Sequence, residues 1–142
     1  MVKLNWQHAG ILRLMIFGAH ILFYSTNPEA DRAFFTDVLQ LRSVDVGHGW
    51  LIFGLPPAEA AIHPAGEEFS QAHAGQQLMG AVLYFMCDDL HAEIASLKSK
   101  NVECSAIQQA PWGMSTTIPL PSGRSIGLYQ PRHETALKLG SR

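Results

Sequence analysis

Several features that would identify a function directly are missing from this sequence. There are only two cysteines, Cys87 and Cys104, which are too few for a disulfide framework and lack metal-type spacing. Two free thiols suit a reducing cytoplasm, where we expect the protein to be. The formal net charge is −2 and Lys98–Lys100 is the only dense basic stretch, so no nucleic-acid partner is expected. The one candidate nucleophile is Cys87 near His91.

Long hydrophobic runs are also scarce. The apolar opening from Ala9 to Tyr24 is interrupted by Arg13, Gly18 and His20, so it never reaches the ~18 uninterrupted apolar residues of a membrane span. Arg13 also lies within what would be the apolar region of a signal peptide. We therefore expect no membrane partner, and we interpret residues 1–17 as an N-terminal extension.

The first half of the chain has the pattern of a strand, a helix and three strands. With 142 residues, 47% of them apolar, the chain can close a hydrophobic core. The short apolar run Ile21–Tyr24 predicts a strand, and Asn27-Pro28 predicts the start of a helix. One face of that helix is apolar, with Ala30, Phe34, Val38 and Leu41. Three further predicted strands follow, at Ser43–Val46, Trp50–Leu55 and Ala60–His63.

The second half repeats this plan. Val82–Phe85 predicts a strand, and Asp88-Asp89 predicts the cap of a helix that ends near Asn101 and has an apolar face of Leu90, Ile94 and Leu97. Strands are then predicted at Val102–Ile107, Ser115–Leu120 and Ser125–Gln130. An offset of 61 residues aligns Ile21–Tyr24 with Val82–Phe85 and Asn27 with Asp88. The agreement predicts an internal duplication.

The segments His20–Phe35, Leu83–Leu97 and Pro121–Gln130 resemble the vicinal oxygen chelate superfamily, which includes glyoxalase I, bleomycin-resistance proteins and extradiol dioxygenases. The resemblance implies an α+β fold in which two βαβββ modules form a curved mixed sheet around a cup. It implies a single glyoxalase-like domain at residues 18–133 and a flexible tail at residues 134–142. Within the domain, module one spans 18–66, a linker spans 67–79 and module two spans 80–133.

The resemblance also implies where a divalent metal such as Zn, Fe, Ni or Mn would bind. Ligands come from the first and last strands of each module, which places His20 and His63 at the positions of module one. In module two the corresponding positions are Ala81 or Val82, and Gly127, none of which can bind a metal. Catalytic sites usually keep three protein ligands. The candidates for a third ligand are Glu59, Glu67, Glu68, His73 and Tyr129.

Two functions are compatible with the sequence. One is a small-molecule binding protein whose cup holds an apolar or aromatic ligand against Trp50, Tyr84, Trp112 and Tyr129. The alternative is a metal-dependent lyase, isomerase or extradiol-type dioxygenase that acts on a vicinal dioxygenated small molecule, with His20 and His63 as ligands. The missing module-two ligands favour binding. The net charge of −2 does not indicate the acidic cup that a cationic drug would need.

The resemblance further implies a homodimer in which a partner chain completes the cup. His20 and His63 of one subunit would then lie opposite Ala81 and Gly127 of the other. The sequence is equally compatible with a cup that is closed within one chain.

Overall fold

The structure is a computed structural model that describes residues 16–140, so most of the predicted N-terminal extension lies outside the described residues. The described part of the chain contains two α-helices and eight short strands. Their order is α1 (Pro28–Asp37), β1 (Ser43–Asp45), β2 (Leu51–Phe53), β3 (Ser70–His73), β4 (Gln76–Met79), β5 (Tyr84–Met86), α2 (Leu90–Ser99), β6 (Gln108–Ala110), β7 (Gly113–Pro119) and β8 (Ser125–Pro131). Neither helix is long and apolar enough to cross a membrane.

Module two is a complete βαβββ unit. Its four strands lie side by side in the order β5-β8-β7-β6, with β5 parallel to β8 and the other neighbours antiparallel. Helix α2 covers one face of this open sheet, and the buried core consists of Leu90, Leu97, Val102, Ile118, Ile126 and Leu128. Because side chains alternate along a strand, Gly127 and Tyr129 face away from the helix. The α+β fold class predicted from the sequence is confirmed.

Both helices begin at the predicted caps. The Asn27 side chain accepts a hydrogen bond from the backbone of Ala30, at 3.4 Å, ahead of Pro28 at the first helical position. The Asp89 side chain accepts from the backbone of Ala92 at 3.1 Å. Local capping chemistry is therefore sufficient to place the start of each helix.

Module one follows the duplicated plan only in part. Strands β1 and β2 form an antiparallel hairpin in which Val44 pairs with Ile52 across a turn at Gly47-His48-Gly49, whose three residues all have positive φ. The Phe53 ring packs against Phe35 of α1, with ring centroids 5.3 Å apart. No further strand within residues 16–140 extends this two-stranded sheet.

Three predicted strands are wrong for the described residues. Ile21–Tyr24 has no strand partner, and its apolar side chains are exposed. Ala60–His63 lies between prolines at 57 and 64, which cannot donate to a strand ladder, and forms no strand. In the segment Val102–Ile107, the Val102 amide donates to the Leu97 carbonyl and so terminates α2. The strand begins only at Gln108. The predicted linker, residues 67–79, contains the β3-β4 hairpin.

Asp31 of α1 connects module one to module two. Its carboxylate accepts from the Ser25 hydroxyl at 2.7 Å and from the Ser122 amide, in the β7-β8 turn, at 3.0 Å. Burial raises the pKa of this carboxyl, but the hydrogen bonds from Ser25 and Ser122 outweigh it and leave the pKa below its ordinary value of 3.8.

Asp31→Ala should therefore destabilise the protein by about 1 kcal/mol at neutral pH, because two charge-assisted hydrogen bonds at a partly exposed site are lost. A lowered folded pKa contributes stability that is complete above the unfolded value and is lost as pH falls through the folded value. The difference in unfolding free energy from the natural chain should thus shrink as the pH falls through the folded value. Urea unfolding across pH measures it, with Asp37→Ala on the same helix as the control. An equal loss in Asp37→Ala would contradict the role of Asp31.

Candidate ligand-binding site

Three aromatic side chains meet on the face of the module-two sheet opposite α2. Tyr84 on β5, Trp112 in the turn before β7 and Tyr129 on β8 form what we call the ring cluster. Their centroids lie 5.4 to 6.4 Å apart, and every pair is arranged edge to face. Tyr84 and Trp112 are 42% and 45% exposed, so ring surface remains available to a ligand.

Gly127 makes the position of Tyr84 possible. The two residues are register partners on the parallel strands β5 and β8. A Cβ atom at position 127 would collide with the Tyr84 ring, including its Cγ atom. Gly127 is buried and has no positive φ, so the neighbouring ring rather than the backbone conformation requires glycine here. The space that a side chain at position 127 would need is therefore occupied by an aromatic ring.

His133 extends the ring cluster. Its ring stacks on Tyr129 at 6.1 Å, and its Nε2 lies 3.3 Å from the Tyr129 hydroxyl. The Nδ1 atom lies 2.8 Å from the carbonyl oxygen of Glu134. Because a carbonyl can only accept, Nδ1 carries the proton, and in the neutral ring Nε2 accepts from the Tyr129 hydroxyl. No pattern in the sequence pointed to His133, which follows β8.

The Tyr129 phenol has a raised pKa. Burial and the nearby carboxylate of Glu59 raise the pKa of the Tyr129 phenol, so this group stays protonated at neutral pH. The Oε1 atom of Glu59 is buried and has no hydrogen-bond partner among the described residues. Glu59 was a candidate metal ligand in the sequence.

The histidines predicted as metal ligands lie on exposed segments. His20 and His63 are both exposed, and Nδ1 of His63 is 2.8 Å from the Pro64 carbonyl oxygen. His73, on β3, is hydrogen-bonded to the hydroxyl of Tyr24. Glu67 and Glu68 form an exposed turn of 3-10 helix. Across residues 16–140, no three histidine, cysteine, aspartate or glutamate side chains are grouped to hold a metal.

The donor set does not fit a metal centre of the superfamily type. Module one offers His20 and His63, whereas module two offers Ala81 or Val82 and Gly127, which have no donor atom in their side chains. A substitution at Gly127 would also have to displace the Tyr84 ring. We therefore derive no chemical step through a metal.

The fourth aromatic residue predicted to contact a ligand, Trp50, lies on the module-one hairpin. The Arg32 guanidinium lies 5.0 Å from the centre of its ring, in a cation–π contact. Trp50 has no ring contact with the ring cluster in the part of the chain that the structure describes. The structure thus brings three of the four predicted aromatic residues together.

The thiol of Cys87 does not have the character of a nucleophile. Burial, together with the negative charge of Glu93, raises its pKa to about 11, so the thiol stays protonated at neutral pH. Cys87 and Leu97 line a cleft of about 540 Å³ between the end of α1 and helix α2. Because a thiolate is needed for attack, Cys87 is not a candidate nucleophile.

Solved structures with the same fold are known. TnmS3, an antibiotic binding protein from Streptomyces sp. CB03234, superposes with a TM-score of 0.50 and 21% identity over 87% of this chain and 99% of its own. A member of the glyoxalase/bleomycin resistance protein/dioxygenase superfamily from Sphaerobacter thermophilus DSM 20745 superposes with a TM-score of 0.50 and 17% identity, covering 82% and 99% of the two chains. No protein-family model and no curated protein matches the sequence.

These similarities agree with the βαβββ topology of module two. The chain has the fold of the glyoxalase/bleomycin-resistance/dioxygenase superfamily, as its resemblance to vicinal oxygen chelate proteins predicted. A fold of this kind serves several chemistries, so function has to be argued from the ring cluster.

Proposed function

We propose that this protein is a small-molecule binding protein that holds a flat, apolar or aromatic ligand against the ring cluster. The observation that carries the proposal is the position of the Tyr84 ring over Gly127, where a metal-binding relative would need a ligand side chain. That arrangement provides aromatic surface in place of a donor atom. The partly exposed rings of Tyr84 and Trp112 are suited to stacking and edge contacts with a planar molecule.

The fold supports the proposal, because TnmS3 is itself an antibiotic binding protein. The phenol of Tyr129, whose raised pKa keeps it protonated, can orient the polar end of a ligand.

Trp112→Ala should weaken the binding of a neutral planar probe, naphthylmethanol, by about tenfold, because stacking on one ring contributes roughly 1–2 kcal/mol. Isothermal titration calorimetry with the purified chain measures the effect. Phe69→Ala is the matched control, since Phe69 is an exposed aromatic residue outside the ring cluster and its loss should change little.

Two results would contradict this proposal. One is binding that Trp112→Ala and Phe69→Ala weaken equally. The other is a stoichiometric metal in untagged protein, purified without chelator, that is lost in both His20→Ala and His63→Ala. The second result would favour a metal-dependent lyase or dioxygenase acting on a vicinal dioxygenated molecule.

We also propose that the protein forms a homodimer, in which a second copy completes the cup. The exposed apolar residues of the β1-β2 hairpin, which we call the hairpin patch, are Val44, Val46 and Trp50. An isolated two-stranded hairpin is marginally stable in water, and an apolar patch of this kind is typical of an interface. The unpaired and exposed residues Ile21–Tyr24 offer a second edge for the same partner.

A further inference from the structure

His133 sets the direction in which the Tyr129 hydroxyl donates its proton. Nδ1 of His133 lies 2.8 Å from the Glu134 carbonyl oxygen, which can only accept, so this nitrogen carries the ring proton. In the neutral ring Nε2 is then an acceptor, and it lies 3.3 Å from the Tyr129 hydroxyl. The hydroxyl proton is therefore directed at His133 and is not available to a ligand.

The Tyr129 oxygen is consequently left as an acceptor. A phenol oxygen that donates its one proton keeps its lone pairs, and the bond to His133 is the one hydrogen bond of this hydroxyl among residues 16–140. Burial is the largest of the influences that raise the pKa of the phenol, so the group is neutral and partly shielded from water. Water therefore competes less strongly for this oxygen than at a fully exposed site.

The Tyr129 hydroxyl is within reach of the surface proposed to hold the ligand. The ring centroid of Tyr129 lies 5.7 Å from that of Tyr84 and 5.4 Å from that of Trp112. A polar group at the edge of a planar molecule that lies against these two rings can therefore meet the hydroxyl. Ring contacts accept many planar molecules, so a hydrogen bond at this oxygen is what distinguishes among them.

We infer that the ligand of the ring cluster is a planar molecule with an O–H or N–H donor at its edge, and that His133 is a positioning residue that keeps the Tyr129 oxygen as the acceptor. This inference rests on the proposed binding function and narrows its ligand class to hydrogen-bond donors such as aromatic alcohols, phenols and indoles. A molecule whose edge presents only ether or ketone oxygens leaves the Tyr129 oxygen without a donor.

A matched pair of probes tests the inference. Naphthylmethanol and its methyl ether share a ring system and an oxygen acceptor, but only the alcohol has a proton to donate. Contacts with protein donors, such as the indole N–H of Trp112, are therefore common to both probes. We expect the alcohol to bind the natural chain about fivefold more tightly at pH 8, where an ordinary imidazole is neutral. Isothermal titration calorimetry measures both affinities.

Two variants assign the preference to Tyr129 and His133. Tyr129→Phe keeps the ring and removes the oxygen, so it should abolish the preference while the ether binds as before. His133→Phe keeps an aromatic ring beside Tyr129 but removes the acceptor, so the released hydroxyl can donate to the ether. The ether should then gain affinity and the preference should fall. His73→Phe is the matched control, because His73 is hydrogen-bonded to Tyr24, outside the ring cluster, and this variant should keep the preference.

Each outcome has a separate meaning. If both probes bind the natural chain equally, the inference is wrong and the proposed binding function stands. If the preference survives in Tyr129→Phe, the donor is recognised elsewhere and the inference is again wrong. If His133→Phe weakens both probes alike, His133 has a structural role only and its positioning role is refuted. If neither probe binds the natural chain, the proposed function fails together with the inference.

Discussion

Replacing Gly113 with alanine is expected to destabilise the protein by about 2–4 kcal/mol. Gly113 begins β7 with a φ of 154°, a conformation that side chains disfavour, and a Cβ there would collide with the carbonyl oxygen of Gln130 on β8. The backbone of a central strand pair cannot move aside as a flexible side chain can. Urea unfolding followed by circular dichroism measures the loss.

Gly123→Ala separates the cost of the positive φ from the cost of the steric contact with Gln130. Gly123 also has a positive φ, of 93°, but no atom lies within 4 Å of the Cβ that alanine would add. Conformational strain alone should cost about 1 kcal/mol in this turn. Equal losses in the two variants would show that the contact with Gln130 is unimportant. Gly113→Ala should also weaken the binding of naphthylmethanol, because Trp112 immediately precedes Gly113.

Val44→Glu is expected to convert the proposed homodimer to a monomer. Val44 is 61% exposed within the hairpin patch, so glutamate is tolerated in a single chain. In an interface the same carboxylate would be buried without a partner, which costs several kcal/mol. Sedimentation equilibrium, at concentrations where the natural chain is dimeric, measures the change in mass.

The control for this substitution is Ile62→Glu, which makes the same kind of change at a residue that is 86% exposed outside the hairpin patch. This variant should remain dimeric. A natural chain that is monomeric at all concentrations tested, or a Val44→Glu variant that stays dimeric, would overturn the proposed assembly.

The parts of the fold that depend on local signals could be predicted from the sequence. Helix caps and tight turns act through neighbouring residues, so the local sequence locates them. Examples are the caps Asn27 and Asp89 and the turn at Pro121-Ser122-Gly123. Local signals could not decide whether Ile21–Tyr24 forms a strand. An apolar run becomes a strand only when another strand supplies hydrogen bonds, and residues 16–140 supply none to it.

The candidate site, too, could be predicted from the sequence only in part. The sequence could nominate Tyr84, Trp112 and Tyr129 because aromatic residues on strands bury large surfaces. It could not show that Gly127 lies opposite Tyr84, since that depends on the register of two strands whose paired residues, at positions 84 and 127, are 43 residues apart in the chain. Glu59 was nominated for metal binding, and the sequence could not show that its Oε1 atom is buried without a hydrogen-bond partner among residues 16–140.

The contact between Tyr84 and Gly127 makes these two positions epistatic. Glutamate at position 127 cannot be accommodated while the tyrosine ring is present. Removing the ring of Tyr84 alone would leave a cavity above Gly127. Either single exchange is thus harmful, although the pair made together need not be. A directed-evolution library aimed at installing metal chemistry in this scaffold would have to vary both codons at once, because stepwise selection would discard every intermediate.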